Sequence, residues 1–120
     1  MINFADVREY VTAKKGVTEE RPFGPDVLVH KVLGKMFTIL PENEKELSIS
    51  LKCDPDEALA LRDMYTAVQP GYHLNKKHWN TVTIDGSIPD DEIWRMIDAS
   101  YDLVVRKNLK KAEREQLQNM

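Results

Sequence analysis

The stretch LSISLKCDPDEALALRDM, residues 47–64, decides the fold. Its first six residues alternate apolar and polar side chains, which predicts a β-strand with one face buried and the other in water. The DPDE segment that follows starts a helix. Asp54 can cap the free N–H groups, Pro55 suits the first helical position, and Glu57 completes a capping-box pattern. The sequence therefore predicts a strand that leads directly into a helix.

Upstream of this stretch the sequence predicts one helix and three strands. Apolar residues recur at helical spacing near the amino terminus, and two β-branched runs are separated by a glycine-containing pair, which is typical of a β-hairpin. In order, these elements are a helix over 2–14 ended by Gly16, a short strand over 17–20, a turn over 21–26, and a hairpin of 27–33 and 36–40 ended by Pro41.

Downstream, a strand is predicted over 79–84, a turn at Asp85-Gly86, and a last helix from Pro89. The helix carries one apolar stripe, and its C-terminal part is rich in Lys and Arg. The stripe is Ile93, Met96, Ile97, Ser100, Tyr101, Val104 and Val105, and the basic residues are Arg106, Lys107, Lys110, Lys111 and Arg114. Phe23, Phe37, Trp94 and Tyr101 are expected packing anchors. The fold prediction is one α+β domain over 1–120, an antiparallel sheet packed against an N-terminal and a long C-terminal helix.

Composition narrows the class of protein. The 120 residues are 42% apolar and 31% charged, ordinary values for a globular protein. No apolar run is long enough to cross a membrane, and the amino terminus does not have the pattern of a secretory signal. Cys53 is the only cysteine, which fits a reducing cytoplasm. We expect a cytoplasmic protein, with a monomer favoured.

Catalytic and metal-site motifs are missing from the sequence. His30, His73, His78 and Cys53 have no zinc-site spacing. Cys53 precedes a helix start, where a thiolate could be favoured, but a small buried cysteine is the preferred interpretation. The acids near 54–57 and 90–92 are explained by helix starts. We therefore expect a non-enzyme without metal or cofactor.

The segment YHLNKKHWN, residues 72–80, interleaves aromatic, basic and amide side chains. Lys76 and Lys77 could hold phosphates, and aromatic rings could stack on bases. The competing interpretation makes the aromatic residues core anchors and the lysines a solvated loop, in keeping with a net charge of −3. The candidate nucleic-acid contacts are Tyr72, Lys76, Lys77, His78, Trp79 and Asn80, joined by Lys31, Lys35 and Arg21.

The chain resembles the MmcQ/YjbR family of small bacterial proteins. The similar stretches cover nearly the whole chain. They are RPFG at 21–24, KVLGKMF at 31–37, LKCDP at 51–55, PGYHLNKKHWNTV at 70–82, Asp85-Gly86, Ile88-Pro89 and SYDLV at 100–104. The resemblance implies a CyaY-like α+β fold and DNA binding through a double-wing arrangement. It implies no catalytic residues.

Three functions compete. The first is DNA binding through a locally basic surface, which requires folding to gather cations on an acidic protein. The second is a protein- or peptide-interaction module that uses the sheet. The third is a small-molecule site near His73, His78 and Trp79, which requires a cavity beside them. The residues alone place the first two level, and the resemblance ranks DNA binding first.

Overall fold

The computed structural model describes residues 2–71 and 74–120 of the chain. These residues form four helices and six strands. The helices are α1 (Phe4–Thr12), α2 (Pro55–Met64), α3 (Asp90–Asn108) and α4 (Lys111–Gln118). The strands are β1 (Val17–Glu20), β2 (Val27–Val32), β3 (Lys35–Pro41), β4 (Ser48–Lys52), β5 (Val68–Pro70) and β6 (Trp79–Thr83).

The strands make one antiparallel sheet in the order β1-β2-β3-β4-β6-β5. Helix α3 packs on β2, β3 and β4, and α1 packs on β1. Ile49 and Leu51, from the alternating stretch, are buried in the core between sheet and helices. The predicted α+β architecture is confirmed.

The β2–β3 hairpin owes its shape to a tight turn and a bulge. Leu33 and Gly34 both have positive φ, 45° and 86°, as a two-residue turn of the primed type requires. Further along, Lys31 pairs with Met36 but His30 pairs with Thr38, so the residue between them has no partner on β2. That residue is Phe37, and the bulge turns its ring into the core.

Strands β3 and β4 pair only briefly, at Thr38–Leu51 and Ile39–Ser50. Where this pairing ends, a serine of α3 bridges the two strands by hydrogen bonds. The Ser100 hydroxyl donates to the Phe37 carbonyl at 2.7 Å and accepts from the Lys52 amide at 2.9 Å. The two backbone groups stay satisfied, and α3 is anchored across the line where β3 and β4 separate.

A buried polar network ties α1 to the sheet. His30 has no exposed surface. Its Nε2 lies 3.0 Å from a Glu19 carboxylate oxygen, and its Nδ1 lies 2.6 Å from the Thr38 hydroxyl. Arg8 of α1 donates to both oxygens of Glu19, at 3.0 and 2.5 Å. Because a carboxylate only accepts, Nε2–H is the donor to Glu19 and Nδ1 accepts from Thr38.

Two local predictions are wrong, and the sequence reasoning missed one strand. Asp54 makes no side-chain capping bond, and the Glu57 carboxylate pairs with Arg95 at 3.0 Å instead. The three-residue strand β5 was not predicted. The basic residues 106–114 do not lie on one helix, because α3 ends at Asn108. Leu109 has an extended backbone and a buried side chain, and the chain changes direction there before α4. Helix α4 folds back beside the start of β1, where the buried Leu117 side chain packs against Gly16.

No helix within 2–71 and 74–120 combines the length and the apolar composition that crossing a bilayer requires.

Candidate functional site

The sheet register brings lysines from separate parts of the chain to one end of the molecule. Val32 pairs with Lys35 at the β2–β3 turn, Thr38 pairs with Leu51, and Lys52 pairs with Trp79. The start of β3, the end of β4 and the start of β6 therefore lie side by side. Lys107, at the end of α3, lines the same cavity as Lys52. We call Lys35, Lys52, Lys76, Lys77 and Lys107 together the basic end.

None of these five lysines forms a salt bridge with a described carboxylate, and four of them are exposed. Lys35, Lys76, Lys77 and Lys107 are exposed and form no salt bridge with any residue in 2–71 or 74–120. Such ammonium groups keep all their N–H donors and their full charge for an external anion. The structure therefore gathers cations that the sequence alone leaves scattered.

Two of the predicted contacts do not join this group. Arg21 lies beyond the other end of the sheet, because the β1–β2 and β2–β3 turns lie at opposite ends of β2, and it pairs with Glu42 at 2.9 Å. Lys31 pairs with Glu20 at 3.2 Å. Arg21 and Lys31 are therefore not part of the basic end.

Acids collect at the opposite end of the sheet. Asp26 precedes β2, Asp85 follows β6, and the loop between β3 and β4 carries three glutamates, Glu42, Glu44 and Glu46. Helix α3 begins with acids and ends with Arg106 and Lys107, the order that stabilises the helix dipole. The basic end is not free of carboxylates, since Asp54 lines the same cavity as Lys52 and Lys107.

Two other predicted contacts are buried. Trp79 is 7% exposed and Asn80 is 2% exposed. The Asn80 side chain accepts from Arg62 Nε at 2.7 Å and donates to the Ala58 carbonyl at 3.4 Å. These side chains anchor the loop before β6, so Asn80 is not free for base contacts, and the small exposed part of Trp79 lines a cavity. His78 is half-buried. Tyr72 and His73 lie outside the described residues.

A cavity of about 400 Å³ opens in the basic end. Its wall is built from the end of β4, the start of α2, the loop before β6 and the end of α3. It is lined by Lys52, Cys53, Asp54, Pro55, Asn75, His78, Trp79, Leu103, Lys107 and Asn108. Three motifs singled out in the sequence, LKCDP, HLNKKHWN and SYDLV, meet at this one place.

The chain is also similar to known proteins. A family model described as YjbR matches residues 12–103. The chain belongs to the YjbR family. It is 36% identical over 104 residues to the uncharacterized protein YjbR of Escherichia coli strain K12, covering 87% of this chain and 88% of that protein. It is 30% identical over 117 residues to the uncharacterized protein YyaQ of Bacillus subtilis strain 168, covering 86% and 98%.

Solved structures share the YjbR architecture. The crystal structure of Deinococcus radiodurans protein DR2400, domain DUF419, superposes with a TM-score of 0.91 at 38% identity, covering 98% of this chain and 89% of that one. A crystal structure of a Pseudomonas syringae protein superposes with a TM-score of 0.74 at 26% identity, covering 85% and 98%. The segment matched by the YjbR family model includes Lys35, Lys52, Lys76 and Lys77, whereas Lys107 and α4 follow it.

Cys53 in this YjbR-family chain has the environment of a structural thiol. Burial raises its pKa to about 11, with Glu57 and Asp54 adding to the effect. Desolvation and the nearby carboxylates therefore outweigh any influence of the α2 dipole, and the thiol stays protonated at neutral pH. No group of three His, Cys, Asp or Glu side chains within 2–71 and 74–120 is arranged to hold a metal ion.

The sheet face away from α3 is open and carries an apolar groove of about 730 Å³. Val27, Ile39 and Leu74 contribute to its floor and walls, with Phe23 at its edge. Phe23 is 64% exposed, so the prediction that it is a packing anchor is wrong. Its turn projects from the sheet at the acidic end, where no helix covers it.

Sequence reasoning missed Lys52 and Asn108 as candidate site residues. Lys52 Nζ donates to Asn108 Oδ1 at 2.9 Å, joining β4 to the end of α3 across the cavity. The available signal was the position of Lys52 as the last residue of the clearest predicted strand, since strand ends of a sheet lie close together. Asn108 has no comparable signal, because its position depends on where α3 stops.

Proposed function

We propose that this YjbR-family protein binds DNA by contacts between phosphates and its basic end. One observation supports the proposal above all. Lysines that are far apart in sequence lie at one end of the sheet and form no salt bridge with a described carboxylate, although Asp54 lies among them, while a group of other acids lies at the opposite end. A charge distribution of this kind attracts a polyanion to one end of the molecule despite a negative total charge.

The proposed contacts are electrostatic and independent of base sequence. Lys35, Lys76 and Lys77 are exposed on two different turns at the basic end, so they can reach phosphates along a backbone. Trp79 and Asn80 would support the loop from inside. The proposed role is binding without catalysis, in keeping with the protonated Cys53 thiol. A DNA ligand also fits the cytoplasmic location expected from the sequence.

Charge reversal at the basic end tests this proposal. Lys76→Glu combined with Lys77→Glu is expected to weaken binding to a short DNA duplex by about tenfold or more and to reduce the salt slope by about 2. The measurement is fluorescence anisotropy across a series of salt concentrations. Neither exposed lysine side chain forms a salt bridge with another described residue, so the fold should be unchanged.

The matched control is Arg21→Glu combined with Lys45→Glu. This pair changes the net charge equally but lies at the acidic end of the molecule. Its affinity for the duplex should stay near that of the unmodified protein. Equal weakening by both pairs, or no binding by the unmodified protein even at low salt, would overturn the proposal.

A second candidate function is binding of an extended apolar peptide on the open sheet face. The exposed ring of Phe23 beside the apolar groove favours it, since exposed aromatic side chains at a groove often anchor partners. Glu44 and Glu46 at the groove suit a peptide with flanking Lys or Arg. A protein partner retained after nuclease treatment and lost with Phe23→Ser would support this function. Identical retention by both forms would exclude it.

A further inference from the structure

The cavity in the basic end has the size and lining of a small-molecule site. Its volume of about 400 Å³ falls in the range of roughly 300–1,000 Å³ that ligand pockets occupy. Pro55, Trp79 and Leu103 give it an apolar wall, and Lys52 and Lys107 give it two cations from different elements. This combination suits a ligand with a flat ring and an anionic group.

Lys52 is the clearest indication of an anion. Its ammonium group donates to the neutral Asn108 amide oxygen and forms no salt bridge with any described carboxylate, Asp54 of the same cavity included. Burial is the cause that lowers its pKa. A partly buried cation is ordinarily compensated by a nearby anion. No described carboxylate forms a salt bridge with Lys52, although Asp54 lines the same cavity, so the ammonium group is available to pair with a bound anion.

Further polar groups are positioned for the same ligand. The Asn75 side-chain oxygen accepts from the Lys77 amide at 3.0 Å, so its orientation is fixed and its NH₂ group donates to no described residue. Lys107 is exposed and keeps all three ammonium donors. His78 supplies a ring nitrogen on the same wall. Lysines and amide donors around one cavity are a typical environment for a phosphate group.

We propose that this cavity binds a nucleoside monophosphate, with the phosphate between Lys52 and Lys107 and the base against Trp79, Leu103 and Pro55. The same chemistry is offered by a free nucleotide and by the 5′-phosphorylated end of a nucleic acid strand. The inference goes beyond the proposed duplex binding. It uses the interior of the basic end, whereas the duplex would contact the exposed Lys35, Lys76 and Lys77.

The test is titration with AMP, adenosine and inorganic phosphate. Trp94→Phe leaves Trp79 as the single indole, so fluorescence then reports the cavity, and calorimetry gives the affinity. We expect AMP to bind about tenfold or more tightly than adenosine, because the phosphate adds charge-assisted hydrogen bonds. A 5′-phosphorylated oligonucleotide and its 5′-hydroxyl counterpart then show whether a strand end is accepted as well as a free nucleotide.

Three lysine variants locate the site. Lys52→Met and Lys107→Met should each weaken AMP binding by about tenfold or more, since each removes one cation from the phosphate. Lys107 is exposed and unpaired, so its variant should keep the fold. Lys111→Met removes an exposed lysine outside the cavity and should bind AMP normally. No AMP binding at millimolar concentration, or equal affinity in all three variants, would overturn the inference.

The outcome is separable from that of the DNA proposal. Lys76 and Lys77 do not line the cavity. The variant Lys76→Glu combined with Lys77→Glu should therefore still bind AMP. Weakened duplex binding with unchanged AMP binding in the Lys76→Glu, Lys77→Glu variant supports the cavity as an independent site, since neither lysine lines it. Duplex binding without any AMP binding removes only the cavity inference.

Discussion

Replacing Phe37 by alanine is expected to lower the free energy of unfolding by about 3–5 kcal/mol. Phe37 has no exposed surface, and its ring lies 5.4 Å from that of Tyr101 in an edge-to-face arrangement at 78°. It occupies the bulge between β2 and β3, and α3 covers it. The truncation leaves a cavity where sheet and helix meet, and the surroundings can fill it only in part.

The control for Phe37→Ala is Phe23→Ala, the same change in a ring that is 64% exposed. Urea denaturation should show a change within about 0.5 kcal/mol for this variant, as for most surface substitutions. The two phenylalanines look equally apolar in sequence, so the comparison isolates burial. Similar losses in both variants would contradict the described packing of the β2–β3 bulge.

The second large effect is expected at His30. Replacing it by alanine should cost on the order of 2–4 kcal/mol at pH 7.5, because a buried ring is lost and Thr38 and Glu19 lose a hydrogen-bond partner. The measurement is again urea denaturation. His78→Ala removes an imidazole outside this network and serves as the control.

Lowering the pH should reduce the free energy of unfolding through the same network of Arg8, Glu19, His30 and Thr38. Burial lowers the pKa of His30, whereas the unfolded chain keeps a value near 6.5. Between these two values the unfolded chain binds more protons, so the free energy of unfolding should fall as the pH drops below about 6.5. The hydrogen bond from Arg8 lowers the pKa of Glu19, so a further loss should follow below about 4.5.

In His30→Ala the first of these two losses should disappear, and in His78→Ala it should remain. Denaturation midpoints between pH 7.5 and 5 test this, since roughly this window lies above the range in which carboxylates titrate. A first loss of stability that persists in His30→Ala would show that another group binds the proton.

Much of the fold was predictable because it depends on local signals. The alternation from Leu47 to Lys52, the stripe of α3 and the Pro-Gly turn before β2 each act within a few residues. Strand β5 depends on pairing with β6, and its three residues carry no periodicity of their own. The break at Leu109 depends on burial of that side chain, since the charge pattern of the tail runs through it without interruption.

The candidate site was less predictable for the same reason. That Lys76 and Lys77 belong to a functional segment could be inferred from composition. Lys35 and Lys52 reach the same end of the molecule only through the register of β3, β4 and β6. Lys31 resembles them in sequence, yet it forms an ion pair with Glu20 of the neighbouring strand β1. Ion pairing across a sheet has no short-range signature.

The most direct test of the basic end is an NMR titration with a DNA duplex, following backbone amide shifts. The account predicts shifts that concentrate at Lys35, Lys76 and Lys77 and weaken as salt is raised. Amides of the acidic end, from Glu42 to Glu46 and at Asp85, should stay unchanged. Shifts centred on the acidic end or the open sheet face, or no shifts at low salt, would contradict the proposal that the basic end binds DNA.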